Sequence, residues 1–138
     1  MPSDAVRDPA HAPRVLLVED DEDVRAVLHD ALSDMGFRVL AAARPSEAIE
    51  VFEGASPRSI DLLLTDMLMP EMNGEDLFRR LRKSEPDLRV LFVTGQASVD
   101  GSPLAAEARL LEKPFTSSQL ARAVPDALPG RRTTGPSR

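Results

Sequence analysis

The chain of 138 residues has no cysteine, tryptophan or tyrosine. Without cysteine it can form no disulfide, no thiolate metal site and no cysteine nucleophile. That fits a reducing compartment. Aromatics make up only 4% of the residues, so Val, Leu, Ile, Ala and five Phe must fill any core, to which the 42% hydrophobic fraction is adequate. No apolar run approaches the ~20 residues of a membrane span. Residues 1–14 hold no apolar signal core, so the expected location is cytoplasmic, with no membrane partner. Lysine is scarce too: there are two, Lys83 and Lys113, against fifteen arginines. The net charge of -6 lacks the basic footprint that nucleic-acid binding needs. Arg131, Arg132 and Arg138 fall in a Pro/Gly/Thr/Ser-rich tail, where basic residues are usually only solvated.

What is present is an alternation of short apolar runs and amphipathic stretches, which implies βαβ units and a parallel sheet. Residues 1–13 hold three prolines and no periodicity, and read as a disordered leader; 129–138 read as a disordered tail; 14–128 form the single expected domain. Val24, Val27, Leu28, Ala31, Leu32 and Met35 recur at helical spacing as one apolar stripe, closed by Gly36. Arg38–Ala43 reads as a strand, and Pro45 opens a helix that carries Ala48, Ile49 and Phe52 inward and stops at Gly54. Glu75–Lys83 is helical and Leu88–Val93 a strand. Residues 96–108 allow at most a short helix because of Pro103. Arg109–Glu112 is the fifth strand. Thr116 and Gln119 have capping-box spacing at the start of a last helix, which Pro125 ends or kinks.

The informative feature is what each apolar run delivers at its end. Val15-Leu16-Leu17-Val18 runs into Glu19-Asp20-Asp21, and Ile60-Asp61-Leu62-Leu63-Leu64-Thr65 into Asp66. Val90-Leu91-Phe92-Val93 runs into Thr94-Gly95, and Leu110-Leu111-Glu112 into Lys113-Pro114. The expected fold is α/β: a flavodoxin-like, doubly wound, five-stranded parallel sheet of order 2-1-3-4-5, whose sites lie beyond the carboxyl ends of the strands. Glu19, Asp20 and Asp66 would then cluster at the switch point, with Thr94 and Lys113 beside them.

Clustered carboxylates repel unless protonated or bridged by a cation. Hard oxygen ligands of this kind suit Mg²⁺, which completes its shell with water and phosphate oxygens. An ammonium and a hydroxyl nearby complete a site for phosphoryl transfer onto a carboxylate, driven by positioning and electrostatics. In an arginine-rich chain, a lysine at a strand end suggests that a compact point charge is wanted there.

Taken singly, each element has a bland reading. Glu19 to Asp23 is an acidic helix start, Asp66 a turn-forming residue, Thr94-Gly95 a common strand exit, and Lys113 a solvated cation. His11 and His29 carry no signal. Taken together, Leu16 to Arg25, Leu63 to Gly74, Val93-Thr94-Gly95 and Glu112-Lys113-Pro114-Phe115 resemble the receiver domains of two-component response regulators over roughly residues 14–128. The resemblance implies that Asp66 is the phospho-acceptor and that Glu19 and Asp20 are the acidic pair. It makes Asp20, Asp66 and the Leu68 carbonyl ligands of Mg²⁺, Thr94 the switch hydroxyl and Lys113 the phosphate-binding lysine. The donor would be a phosphohistidine on a histidine kinase or histidine phosphotransfer protein. Output would pass to a downstream protein target by contact, from a signalling domain rather than a turnover enzyme.

Three features depart from the family pattern. Leu110 stands where receivers usually carry Tyr or Phe, three residues before the lysine. The interval from Thr94 to Lys113 is short, and Pro125 perturbs the last helix. All three fall on a face used for dimerisation in the family, so a monomer or weak dimer is expected. Leu68 and Gln96 occupy positions that tune water access in the family. Other functions stay open: a phosphatase with an aspartate nucleophile, for which Leu68 stands where a second Asp is typical; an interaction module that is never phosphorylated; and flavin binding, which lacks a phosphate-cradling loop after the first strand.

Overall fold

The computed structural model describes residues 12–54, 60–94, 109–113 and 115–128. The stretch 96–108, Pro114, most of the expected leader and the whole expected tail lie outside them.

Strands β1 (Arg14–Val18), β2 (Arg38–Ala42), β3 (Leu62–Asp66), β4 (Arg89–Thr94) and β5 (Arg109–Glu112) form one five-stranded sheet of order β2-β1-β3-β4-β5. Every pairing is parallel, with Val18 opposite both Ala42 and Thr65, Asp66 opposite Val93, and Thr94 opposite Glu112. All five carboxyl ends therefore share one edge. Between the strands run helices α1 (Glu22–Asp34), α2 (Pro45–Gly54) and α3 (Gly74–Ser84), and α4 (Ser117–Asp126) follows β5.

The continuous apolar runs are explained by burial on both faces. Successive strand residues point to opposite sides of a sheet. Val15, Leu17, Leu62, Leu64, Leu91 and Val93 meet Leu28 and Leu32 of α1 and Leu120 and Val124 of α4. Their neighbours Leu16, Val18, Leu63, Val90 and Phe92 meet Ala48 of α2 and Leu77, Phe78 and Leu81 of α3. On that second face the scarce aromatics are used as a pair: Phe78 and Phe92 pack edge to face, with centroids 6.2 Å apart. Burying each such leucine or phenylalanine contributes about 1.5–3 kcal/mol.

Local signals place the helix ends. The Asp21 side chain accepts the Val24 amide at 3.0 Å and starts α1. Gly36, at φ 96°, follows the α1 C-cap in the left-handed conformation that glycine tolerates. Thr116 and Gln119 close a capping box on α4, which stops at Asp126, one residue past Pro125. Some expectations shift: β2 ends at Ala42 rather than Ala43, and α3 spans Gly74–Ser84 rather than Glu75–Lys83. Strand β4 starts and ends one residue later than predicted, which brings Thr94 into the sheet. Val27 is not part of the buried stripe but 66% exposed. A helix lying on one face of a sheet buries a narrow stripe, and Leu28, Leu32 and the half-buried Val24, Ala31 and Met35 fill it.

Candidate functional site

Each candidate residue sits where its strand meets the sheet edge. Glu19 leaves β1 still hydrogen-bonded to the sheet, its amide donating to the Ala42 carbonyl at 3.1 Å. Its carboxylate is buried and takes the Asp21 amide at 3.0 Å through Oε2. Arg25, one turn into α1, donates Nη1 to the Glu19 carbonyl at 2.9 Å and fixes this corner from behind. Asp20, next in the chain, is exposed.

Asp66 ends β3 and is only 5% exposed. The next amide, that of Met67, donates to the Val93 carbonyl at 2.8 Å, so the chain turns only after Asp66 is set. Gly74 explains the close approach of α3. A Cβ there would overlap the carbonyl oxygen of Asp66. Thr94 ends β4 and is buried; its carbonyl accepts the Lys113 amide at 2.7 Å, which ties the last two strand ends together. Leu68, two residues after Asp66, is 80% exposed.

The side chains converge. Carboxylate oxygens of Glu19, Asp20 and Asp66 lie within 4.8 Å of one another. Lys113 Nζ stands 3.2 Å from Asp66 Oδ1 and 3.4 Å from Glu19 Oε1. Three carboxylates around one ammonium leave the site short of positive charge. Burial, and then the Glu19 carboxylate beside it, push the Asp66 carboxyl up to about 7 against the pull of Lys113. Burial alone would lower Lys113, but Asp66 and then Glu19 outweigh it and hold the ammonium above its ordinary range.

This donor set fits a hard divalent cation. It offers oxygen only, from three residues, two of them buried, with a partly exposed opening. A phosphate oxygen would find the Lys113 ammonium beside Asp66. Arg25, Glu71 and Gly74 lie inside the segments that carry the resemblance, but the sequence does not say what they touch: Arg25 the Glu19 carbonyl, Glu71 the start of α2, and Gly74 the Asp66 carbonyl.

A sheet of this order with an acidic trio and a lysine at its carboxyl edge defines a signalling domain of the receiver type. The chain belongs to the response regulator receiver domain family, which matches residues 15–125. It is 40% identical over 117 residues to the sensor kinase CckA of Brucella abortus strain 2308, a match covering 83% of this chain and 12% of that protein. It is also 40% identical over 105 residues to the response regulator receiver protein CpdR of the same organism, covering 74% of this chain and 85% of CpdR. Among solved structures, the receiver domain of the hybrid histidine kinase CckA aligns with a TM-score of 0.71 and 32% identity, covering 83% and 98% of the two chains. A response regulator receiver protein from Sinorhizobium medicae WSM419 aligns with a TM-score of 0.75 and 31% identity, covering 88% and 98%. Among the described residues no helix is long and apolar enough to cross a membrane.

Proposed function

We propose that this receiver domain accepts a phosphoryl group on Asp66 from a phosphohistidine of a histidine kinase or histidine phosphotransfer protein. The observation that carries this reading is the placement of Asp66 beside both Glu19 and Lys113, with the ammonium 3.2 Å from Oδ1. In the transfer, an Asp66 oxygen forms a bond to phosphorus as the donor's P–N bond breaks, and the leaving imidazole takes up a proton.

Asp20, Asp66 and the Leu68 carbonyl would hold Mg²⁺, with Glu19 the second member of the acidic pair. The bound ion supplies positive charge to the transferred oxygens and offsets carboxylate repulsion. Lys113 binds the phosphoryl group as a point charge. Thr94, at the end of β4, offers the hydroxyl that reorganises around the new oxygens. A phosphoryl group adds about -1.5 to -2 charges and three acceptor oxygens, enough to shift the strand ends that carry Thr94 and Lys113. A typical coupling of about 1–3 kcal/mol changes populations rather than acting as an absolute switch. The signal passes to a protein target by contact. On this reading the domain occupies residues 14–128, works in the cytoplasm and catalyses nothing beyond its own phosphorylation and dephosphorylation.

The test is intact-mass measurement after incubation with Mg²⁺ and acetyl phosphate, beside Asp66→Ala. The expected result is a gain of one phosphoryl group in the parent alone, abolished by EDTA. No gain in the parent, or an equal gain in the variant, overturns the assignment.

A further inference from the structure

Residues 67–73 lead from the end of β3 into α3, and one of them stands in an unusual conformation. Glu71 has φ 68°, the one non-glycine of the described residues in the left-handed region. Asn and Asp tolerate that region best, because their short side chains bond their own backbone. Glu71 bonds elsewhere. Its Oε1 accepts the Ser46 amide at 3.1 Å and its Oε2 the Ser46 hydroxyl at 3.3 Å, across 25 residues of chain.

Ser46 is the second residue of α2, and this helix lacks an acceptor of its own at that point. Arg44, just before it, carries only donors, and Pro45 has no N–H. Glu47 is spent reaching back to the Ala43 amide at 2.8 Å, and the Ala48 amide is already bonded to the Arg44 carbonyl at 2.9 Å. Glu71 therefore caps α2 from outside, an anion at the positive end of the helix. A cap alone would not require this arrangement, since Ser or Asp at position 44 would supply one without backbone strain. The strain marks the path of the loop as the thing being fixed.

That loop is then pinned at its two ends and at Glu71, while Met69 within it accepts the Thr65 hydroxyl through Sδ at 3.7 Å. The Met67 amide is held by the Val93 carbonyl, the Gly74 amide donates to the Met67 carbonyl at 2.7 Å, and Glu71 is held by Ser46. Leu68, Met69 and Pro70 lie between the first pin and the last, directly after Asp66. We infer that Glu71 is a positioning residue: its bonds to Ser46 hold the stretch 68–70 in place at the mouth of the site and tie the start of α2 to the surroundings of Asp66. The mechanical part stands on geometry alone; its consequence for Mg²⁺ rests on the function proposed above.

The experiment compares the parent with Glu71→Ala, Glu71→Gln and Ser46→Ala by amide hydrogen exchange in EDTA, and then by Mg²⁺ titration followed through amide NMR shifts. Glu71→Ala is expected to speed exchange several-fold at Met67 and Gly74 as well as at Ser46. It should weaken Mg²⁺ binding on the order of 10-fold, the scale seen when a support behind a metal ligand is removed. Glu71→Gln, which keeps an acceptor for the Ser46 amide, should recover most of both losses, and Ser46→Ala should fall between. Faster exchange confined to the first turn of α2, with Met67, Gly74 and Mg²⁺ binding unmoved, overturns the inference and leaves a simple cap. If the parent itself takes no Mg²⁺ while Glu71→Ala still loosens Met67 and Gly74, the metal assignment falls and the positioning role stands.

Discussion

Lys113 Nζ lies 3.2 Å from Asp66 Oδ1, yet the same ammonium is 3.4 Å from Glu19 Oε1, so one cation serves two buried carboxylates. The division leaves Asp66 under-compensated. Its carboxyl is raised to about 7 because burial and the nearby Glu19 outweigh the share of Lys113 it receives.

Replacing Lys113 with Met removes the one contribution that lowers the Asp66 carboxyl. Its midpoint, followed by carboxyl ¹³C NMR in EDTA, should rise above the parent's value of about 7. A midpoint that stays or falls would mean that Lys113 does not act on Asp66 as its position requires. The same variant should lose most phosphorylation by acetyl phosphate.

Raised above its ordinary 3.8, the Asp66 carboxyl keeps its proton in the folded protein where the unfolded chain has lost it. The stabilisation this gives is full below about pH 3.8 and is lost as pH rises through about 7. Asp66→Asn, which resembles the protonated form, should then exceed the metal-free parent in stability at pH 8 by on the order of 2–4 kcal/mol. The two should converge near pH 4. Urea unfolding followed by circular dichroism tests this, since the chain has no tryptophan to report by fluorescence. Equal stability at pH 8 would refute it.

Mg²⁺ must compete with that proton. Affinity measured by calorimetry should fall as pH is lowered from 8 to 6, with proton uptake by buffer accompanying binding in the lower range. Affinity independent of pH across this range would place the cation away from Asp66.

Gly74→Ala sets a Cβ against backbone, the carbonyl of Asp66, which cannot rotate away. The expected loss is about 1–3 kcal/mol, as for other overpacked sites, together with a displaced Asp66. Gly54→Ala, where a Cβ meets nothing within 4 Å, is the matched control. Comparable urea midpoints for the two variants would show that the close approach is not needed.

Leu68 is 80% exposed two residues after Asp66, the proposed acceptor, so its replacement should leave the fold intact. We expect its apolar side chain to keep water from the acyl phosphate. Leu68→Asn should therefore shorten the life of the phosphorylated form, read as decay of the added mass after the donor is removed. An unchanged or longer lifetime rejects this role.

Much of the architecture was legible because each strand is a short apolar run closed by a polar residue. Val15 to Val18 and Leu62 to Leu64 admit little else once both faces are buried. The capping box at Thr116 and the stop after Pro125 were legible for the same local reason. Val27 was misjudged because periodicity gives the direction of a helix face but not its width, which packing against the sheet decides. The Glu71–Ser46 bonds were invisible: two polar surface residues 25 apart leave no periodic trace, and only the tertiary fold makes them neighbours. The clustering of Glu19, Asp20, Asp66 and Lys113 followed from strand order, whereas Arg25 behind Glu19 required the rotation of α1 to be known.

Strand β3 is paired on both sides, and all five of its residues are buried. A strand so placed opens only when the whole domain does, so its amides should be among the slowest to exchange. Asp66, the proposed acceptor, thus sits at the end of a strand buried along its whole length. If Asp66 is phosphorylated as proposed, the added charge has little room to be absorbed along β3 itself, and the movement it provokes would be expressed in the segments that face it across the edge. On that reading Asp66 would serve as the fixed datum from which those displacements are measured.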